Sequence, residues 1–205
     1  NPEWDIFIKE VRKEMTTKAG QKCTAIRRIF VPENKMEDVW KALITSLKQT
    51  TIGNPLNEKV RMGSLAGQNQ RHEVKMQVSK LLATSQLIYG SLDSVEVIDA
   101  DPKKGAFISP LLLMNEKPFA SNEAHEVEAF GPVSTIMPYK HMDEAIDLSK
   151  KGKGSLCSSI VTADNKKAKQ YVLGAASHHG RILVLNAACA KESTGHGSPL
   201  PLLVH

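Results

Sequence analysis

The sequence predicts an α/β domain, a sheet with helices packed on it. Three observations predict it. Helical stripes, with apolar residues at steps of three and four, alternate with short β-branched or apolar runs along all 205 residues. Gly, Pro and Asn punctuate the joins. With 41% hydrophobic and 24% charged residues, the composition is that of a globular chain and excludes wholesale disorder. There is no internal repeat or low-complexity linker, so one domain over residues 1–205 is the simplest division.

Taken in order, Trp4, Ile8, Val11 and Met15 form an amphipathic helix preceded by Pro2. Gly20 interrupts it, and a turn carries Cys23. Residues 28–31 read as a short strand stopped by Pro32. Val39, Trp40, Leu43, Ile44 and Leu47 make a second helical stripe, and Gly53–Asn54–Pro55 is a loop signal. A helix is expected from about Gln70 to Ser85, a short strand at Val95–Ile98, and a buried strand in the apolar run Phe107–Met114. Residues 122–129 are polar and read as a connection. Strands at Val133–Tyr139, Ser158–Thr162 and Ile182–Leu185 alternate with helices at Met142–Ser149 and Asn165–Ala176. His178–His179 then fall at a helix C-terminus, where a cation suits the dipole. The segment from Ala187 onward is small and Gly/Pro-punctuated, and reads as loop.

Several classes drop out on composition. No apolar run reaches the ~18 residues of a bilayer span, and Asn1–Pro2–Glu3 shows neither part of a secretory signal. The net charge of +5 comes from scattered basic pairs and not from a stripe, so no nucleic-acid partner is expected. Five Phe, three Tyr and two Trp offer no stacking platform. Cys23, Cys157 and Cys189 are odd in number, widely spaced and without a CxxC, which fits reduced cytoplasmic thiols and not a disulfide framework. The seven histidines make no ligand pattern, so no metal is expected.

Chemistry could sit in three places. Gly20–Gln21–Lys22–Cys23–Thr24–Ala25 puts a thiol just past a glycine turn, with Lys22, Arg27 and Arg28 as the nearby positive charges. A lone cysteine is more often a small buried hydrophobe, and on spacing alone that reading comes first. Glu128–Ala129–Phe130–Gly131–Pro132–Val133 sets a carboxylate two residues before an aromatic, ahead of a turn into a strand. Such a carboxylate could accept from two sugar hydroxyls, or it could be one solvated Glu beside a buried Phe. Gly53–Asn54–Pro55, with Met62–Gly63 downstream, is by itself a turn plus a loop.

Together and in this order these motifs resemble the catalytic domain of the aldehyde dehydrogenase superfamily. The family's Gly-Gln-x-Cys-x-Ala stretch with an arginine five places on appears as Gly20–Ala25 and Arg28. Its Gly-Asn-Pro loop appears as Gly53–Asn54–Pro55, its Glu-x-Phe-Gly-Pro-Val signature as Glu128–Val133, and the Asn closing a late strand as Asn186. Glu14–Arg28 and Ala190–Pro201 further resemble the branch that serves bacterial phenylacetate degradation. There an aldehyde dehydrogenase half is fused to a hydratase half that opens an oxepin-CoA to the aldehyde.

The resemblance implies a catalytic-domain-like sheet and oxidation of an aldehyde to a carboxylate. The aldehyde substrate it implies is a CoA-linked semialdehyde, and NADP (or NAD) is the cofactor. Cys23 would be the nucleophile, Glu128 would hold the nicotinamide ribose hydroxyls, and Phe130 would orient the nicotinamide. It also implies a piece of a longer, homo-oligomeric cytoplasmic protein. The nucleotide-binding portion and the general base lie upstream in the family, so the 205 residues alone are expected to be inactive. Two alternatives stay open: a non-catalytic α/β domain serving assembly, and an acylating enzyme that passes the acyl group to CoA. Cys157 and Cys189 have no family role and are expected to be buried packing residues.

Overall fold

A computed structural model describes residues 2–193, 195 and 196. The chain folds as two compact units, residues 8–140 and residues 1–7 with 141–205.

Helix α1 (Pro2–Thr16), which belongs to the first unit from Ile8 onward, delivers the chain to a left-handed turn, with φ of 54° at Lys18, 52° at Ala19 and 70° at Gly20. Strand β1 (Arg28–Pro32) follows, then α2 (Met36–Leu47), α3 (Gln68–Leu81), β2 (Gln86–Tyr89), β3 (Leu111–Met114), the single turn α4 (Glu123–Glu126) and β4 (Val133–Tyr139). The sheet order is β1-β4-β3-β2; the first three strands are parallel and β2 pairs antiparallel with β3. Leu111, Leu113, Val133 and Met137 pack with Val74, Val78 and Leu81 of α3 in one cluster. Leu112 and Ile136 alternate with these residues and are equally sealed. β3 and β4 are thus covered on both faces, which is why Leu111–Met114 reads as a continuous apolar run, while β4 seals Ser134 and Thr135 along with its apolar residues.

Differences from the sequence reading have local causes. Phe107–Met114 is buried except for half-buried Ser109 and Met114, but the ladder begins only at Leu111, because Pro110 has no N–H to give. Leu111 N donates to Pro132 O at 2.8 Å. Val95–Ile98 is no strand; its one pairing is a bridge from Ile98 to Gly53. β2 and α4 were not expected, both being four residues long and too short for a period to show.

In the second unit, α5 (Met142–Lys150), β5 (Ser155–Val161), α6 (Asn165–Ala175) and β6 (His179–Leu185) form a two-stranded parallel sheet with its crossover helix. Ile146, Tyr171 and Ala175 make its core, with Met142, Ile160 and Ile182 packed against them. Asp164 caps α6, accepting from Lys166 N at 2.8 Å and Lys167 N at 3.2 Å. His179 Nδ1 donates to Ala175 O at 2.9 Å, satisfying a carbonyl at the end of α6. Cys157 and Cys189 are half-exposed, not buried as expected, because a two-stranded sheet encloses little. Cys189 Sγ accepts from Asn186 N at 3.4 Å and closes the turn after β6, where Asn186 Oδ1 accepts from Ala188 N at 3.0 Å. Half of Ala190–Pro201 lies outside the described residues.

Candidate active site

The two strongest sequence motifs meet within the first unit. Cys23 stands five residues before Arg28, and Phe130 five before Thr135. Arg28 and Thr135 are register partners in the parallel pair β1/β4. Cys23 and Phe130 therefore lie in the loops that lead into the amino ends of two adjacent strands, spaced roughly 4.8 Å apart. Ser134 Oγ donates to Ile26 O at 2.6 Å and Thr135 N to Arg27 O at 2.8 Å, so the pairing continues below Arg28.

Gly20 brings the two loops into backbone contact. A Cβ built there would fall inside Gly131 C and O and lie 2.6 Å from Pro132 N. Only glycine permits both that approach and its left-handed φ. Gly131 is in turn hemmed by Val74 of α3, whose Cγ2 would lie 2.9 Å from an added Cβ.

Cys23 occupies a tight turn closed by Ala25 N donating to Lys22 O at 3.1 Å, and it is exposed. Thr24 is buried, so the turn is rooted while its tip faces outward. Gln21 Oε1 accepts from Ala66 N at 2.8 Å and fixes the approach to the turn. Among the described residues, nothing accepts a hydrogen bond from the Cys23 N–H. The three cations near Cys23 in sequence are all engaged. Lys22 pairs with the buried carboxylate of Glu14, and Arg27 Nε lies 3.6 Å from Glu128 Oε1. Arg28 lies 3.2 Å from His125 Nδ1, and its guanidinium sits 5.5 Å from the Phe30 ring centre.

Residues 127–130 alternate. Val127 and Ala129 pack into the apolar cluster, while Glu128 and Phe130 are exposed, Phe130 to 43%. Glu128 and Phe130 are both outward-facing and two residues apart, so a carboxylate and a ring are presented to solvent from one short loop. Phe130 is therefore not the buried residue of the blander sequence reading. The Gly53–Asn54–Pro55 loop sits apart from this cluster in its hydrogen bonding. Gly53 (φ 156°) abuts Ile98, and Asn54 Nδ2 donates to Asp99 at 3.3 Å. Sequence reasoning passed over His125, whose partner lies 97 positions away and leaves no local pattern.

A parallel-stranded α/β sheet carrying an exposed thiol beside a carboxylate–aromatic loop defines a candidate covalent-catalysis domain. Residues 3–191 match the aldehyde dehydrogenase family, and the chain belongs to that family. It is 38% identical over 204 residues to a 3,4-dehydroadipyl-CoA semialdehyde dehydrogenase of Aromatoleum evansii, covering 100% of this chain and 40% of that protein. It is 44% identical over 146 residues to Protein MaoC of Klebsiella aerogenes, covering 70% and 42%. The chain thus spans about two fifths of the length of the curated relatives it matches. A betaine aldehyde dehydrogenase from Staphylococcus aureus, solved in complex with NAD+, shares the fold. Its TM-score is 0.79 at 22% identity, over 88% of this chain and 35% of that one.

Proposed function

We propose that the chain carries the nucleophile and part of the nicotinamide site of an enzyme that oxidises a CoA-linked semialdehyde to a carboxylic acid, using NADP or NAD. The pathway it would serve is phenylacetate degradation. The observation that carries this reading is the backbone contact of Gly20 with Gly131, which sets the exposed Cys23 turn beside the loop presenting Glu128 and Phe130. The CoA semialdehyde named for the Aromatoleum relative supports the substrate class.

In this reading the Cys23 thiolate adds to the aldehyde carbon, forming a C–S bond and a thiohemiacetal oxyanion. The Cys23 N–H would be a donor for that oxyanion, the kind of contact worth ~10²–10³ in rate at other acyl-transfer sites. A bound nicotinamide supplies the hydride acceptor. Loss of hydride from the same carbon to that acceptor would leave a thioester on Cys23, which water would cleave, its hydroxyl going to the acyl carbon to give the acid and its proton to the departing sulfur to return the Cys23 thiol. Glu128 fits the cofactor's ribose, because an exposed carboxylate can accept from two vicinal hydroxyls, and Phe130 offers an exposed ring two residues on.

Cys23→Ala, made in the complete protein that carries this chain, is expected to abolish NADP or NAD reduction with a CoA semialdehyde while leaving the melting temperature near wild type. Sustained turnover in that variant would remove Cys23 from the reaction. The 205-residue chain alone is expected to show no such turnover.

A further inference from the structure

His125 is 2% exposed, a sealed polar side chain that no sequence motif singles out. It sits in α4, a single turn whose backbone hydrogen bonds are local, running from His125 N and Glu126 N to Asn122 O and from Val127 N to Glu123 O. Its two ring nitrogens reach out of that turn. Nε2 lies 2.8 Å from Pro118 O and Nδ1 lies 3.2 Å from Arg28 Nη1. A carbonyl only accepts and a guanidinium only donates, so the partners fix the tautomer: Nε2 carries the proton and Nδ1 is the acceptor. An imidazolium in this place would turn an N–H and a positive charge toward Arg28.

The consequence is a second tie between the two motif-bearing segments. Arg28 opens β1 five residues after Cys23, and His125 stands three residues before Glu128. The Gly20–Gly131 approach fixes the far end of the loop. The Arg28–His125 hydrogen bond fixes its near end, and Glu128 and Phe130 lie between the two.

We propose that His125 is a positioning residue for the cofactor site: neutral and Nε2-protonated, it accepts from Arg28 and thereby holds the Glu128–Phe130 segment in place beside the Cys23 turn. This rests on the functional reading given above.

Isosteric replacements test it in the complete protein. Asn places an acceptor where Nδ1 stands and abandons Pro118; Gln reaches Pro118 and abandons Arg28. His125→Gln is expected to raise the KM for NADP or NAD roughly tenfold, the scale of one charge-assisted hydrogen bond, with kcat changed less. His125→Asn is expected to restore that KM to within about twofold of wild type. Arg28→Met breaks the same contact from the other side and keeps the test open if H125Q does not fold. It must raise cofactor KM at least as much as H125Q, since Arg28 also sits against Phe30, and adding H125Q to it must raise KM no further. Equal KM values for H125N and H125Q, or additive effects of H125Q and R28M, overturn the proposal. Cys23→Ala in the same assay separates the two claims: turnover surviving C23A sinks the functional reading, whereas a silent C23A with H125N and H125Q alike sinks this proposal alone.

Discussion

Replacing Gly20 by Ala perturbs the site without touching a reacting atom. The new Cβ would lie 2.6 Å from Pro132 N and nearer still to the Gly131 carbonyl, whereas Cβ contacts essentially never fall below 3.0 Å. Every obstructing atom is backbone, so no side chain can swing away. The two loops must part by about 1 Å, a displacement that costs on the order of 10²-fold in rate where geometry is catalytic. The left-handed φ of 70° adds a backbone penalty of about 1–2 kcal/mol for any residue with a Cβ.

The assay is steady-state NADP or NAD reduction by the complete protein, with iodoacetamide labelling of Cys23 alongside. The expected outcome is a fall in kcat/KM of roughly two orders of magnitude, with Cys23 still labelled, since its turn remains exposed. Gly154→Ala is the control. Gly154 also has a φ unfavourable to L residues, 141°, but an added Cβ there meets nothing within 4 Å. It is expected to lower the melting temperature and leave kcat/KM within about twofold. If Gly20→Ala keeps near-wild-type kinetics, or merely matches Gly154→Ala, the close approach of the loops does not set the geometry of the site.

Two further outcomes follow from the ion pair and the helix cap. Arg27 and Glu128 are partly exposed at 3.6 Å, a setting in which such pairs contribute about 0–1 kcal/mol, so Arg27→Met should change cofactor KM by less than about fivefold. Glu128→Ala should raise it more, and the reverse ranking in a cofactor titration would refute the assignment of Glu128 to the ribose. Asp164 accepts from Lys167 N and Lys166 N, and these backbone hydrogen bonds hold its carboxyl below the usual 3.8. A depressed carboxyl stabilises the fold above its ordinary value and loses that effect as the pH falls through its folded value. Asp164→Ala should therefore melt lower than wild type at pH 7, with the gap narrowing on acidification; a gap of the same size at pH 7 and pH 3 would refute it.

Much of this architecture was legible where a period ran long enough to show. Val133–Tyr139 was read to the residue, and Asn165–Ala175 carries the cap that its Asp/Asn start announced. Short elements escaped: Gln86–Tyr89 is a strand because the antiparallel edge of β3 lies beside it, not because four residues declare it. Val95–Ile98 has the β-branched composition of a strand but finds only one bridge, so composition without a partner made no ladder. The motifs around Cys23 and Glu128 were visible as strings. Their meeting was not, because it depends on parallel pairing of β1 with β4 and on two glycines more than a hundred positions apart.

The cations beside Cys23 illustrate the same gap with a chemical consequence. In sequence, Lys22, Arg27 and Arg28 look like a positive field that could sustain a thiolate. In the fold each is directed elsewhere: Lys22 into Glu14, Arg27 toward Glu128, and Arg28 onto His125 and Phe30. Their shared effect is geometric. Lys22 roots the residue preceding the thiol, while Arg27 and Arg28 bind the strand that follows it to the carboxylate-bearing loop. Neighbouring charge in a sequence measures what is available, and in this site it is spent on aligning two loops. Under the proposed function, activation of the thiol would fall to whatever approaches the exposed face of the Cys23 turn, the side from which a carbonyl substrate would also come.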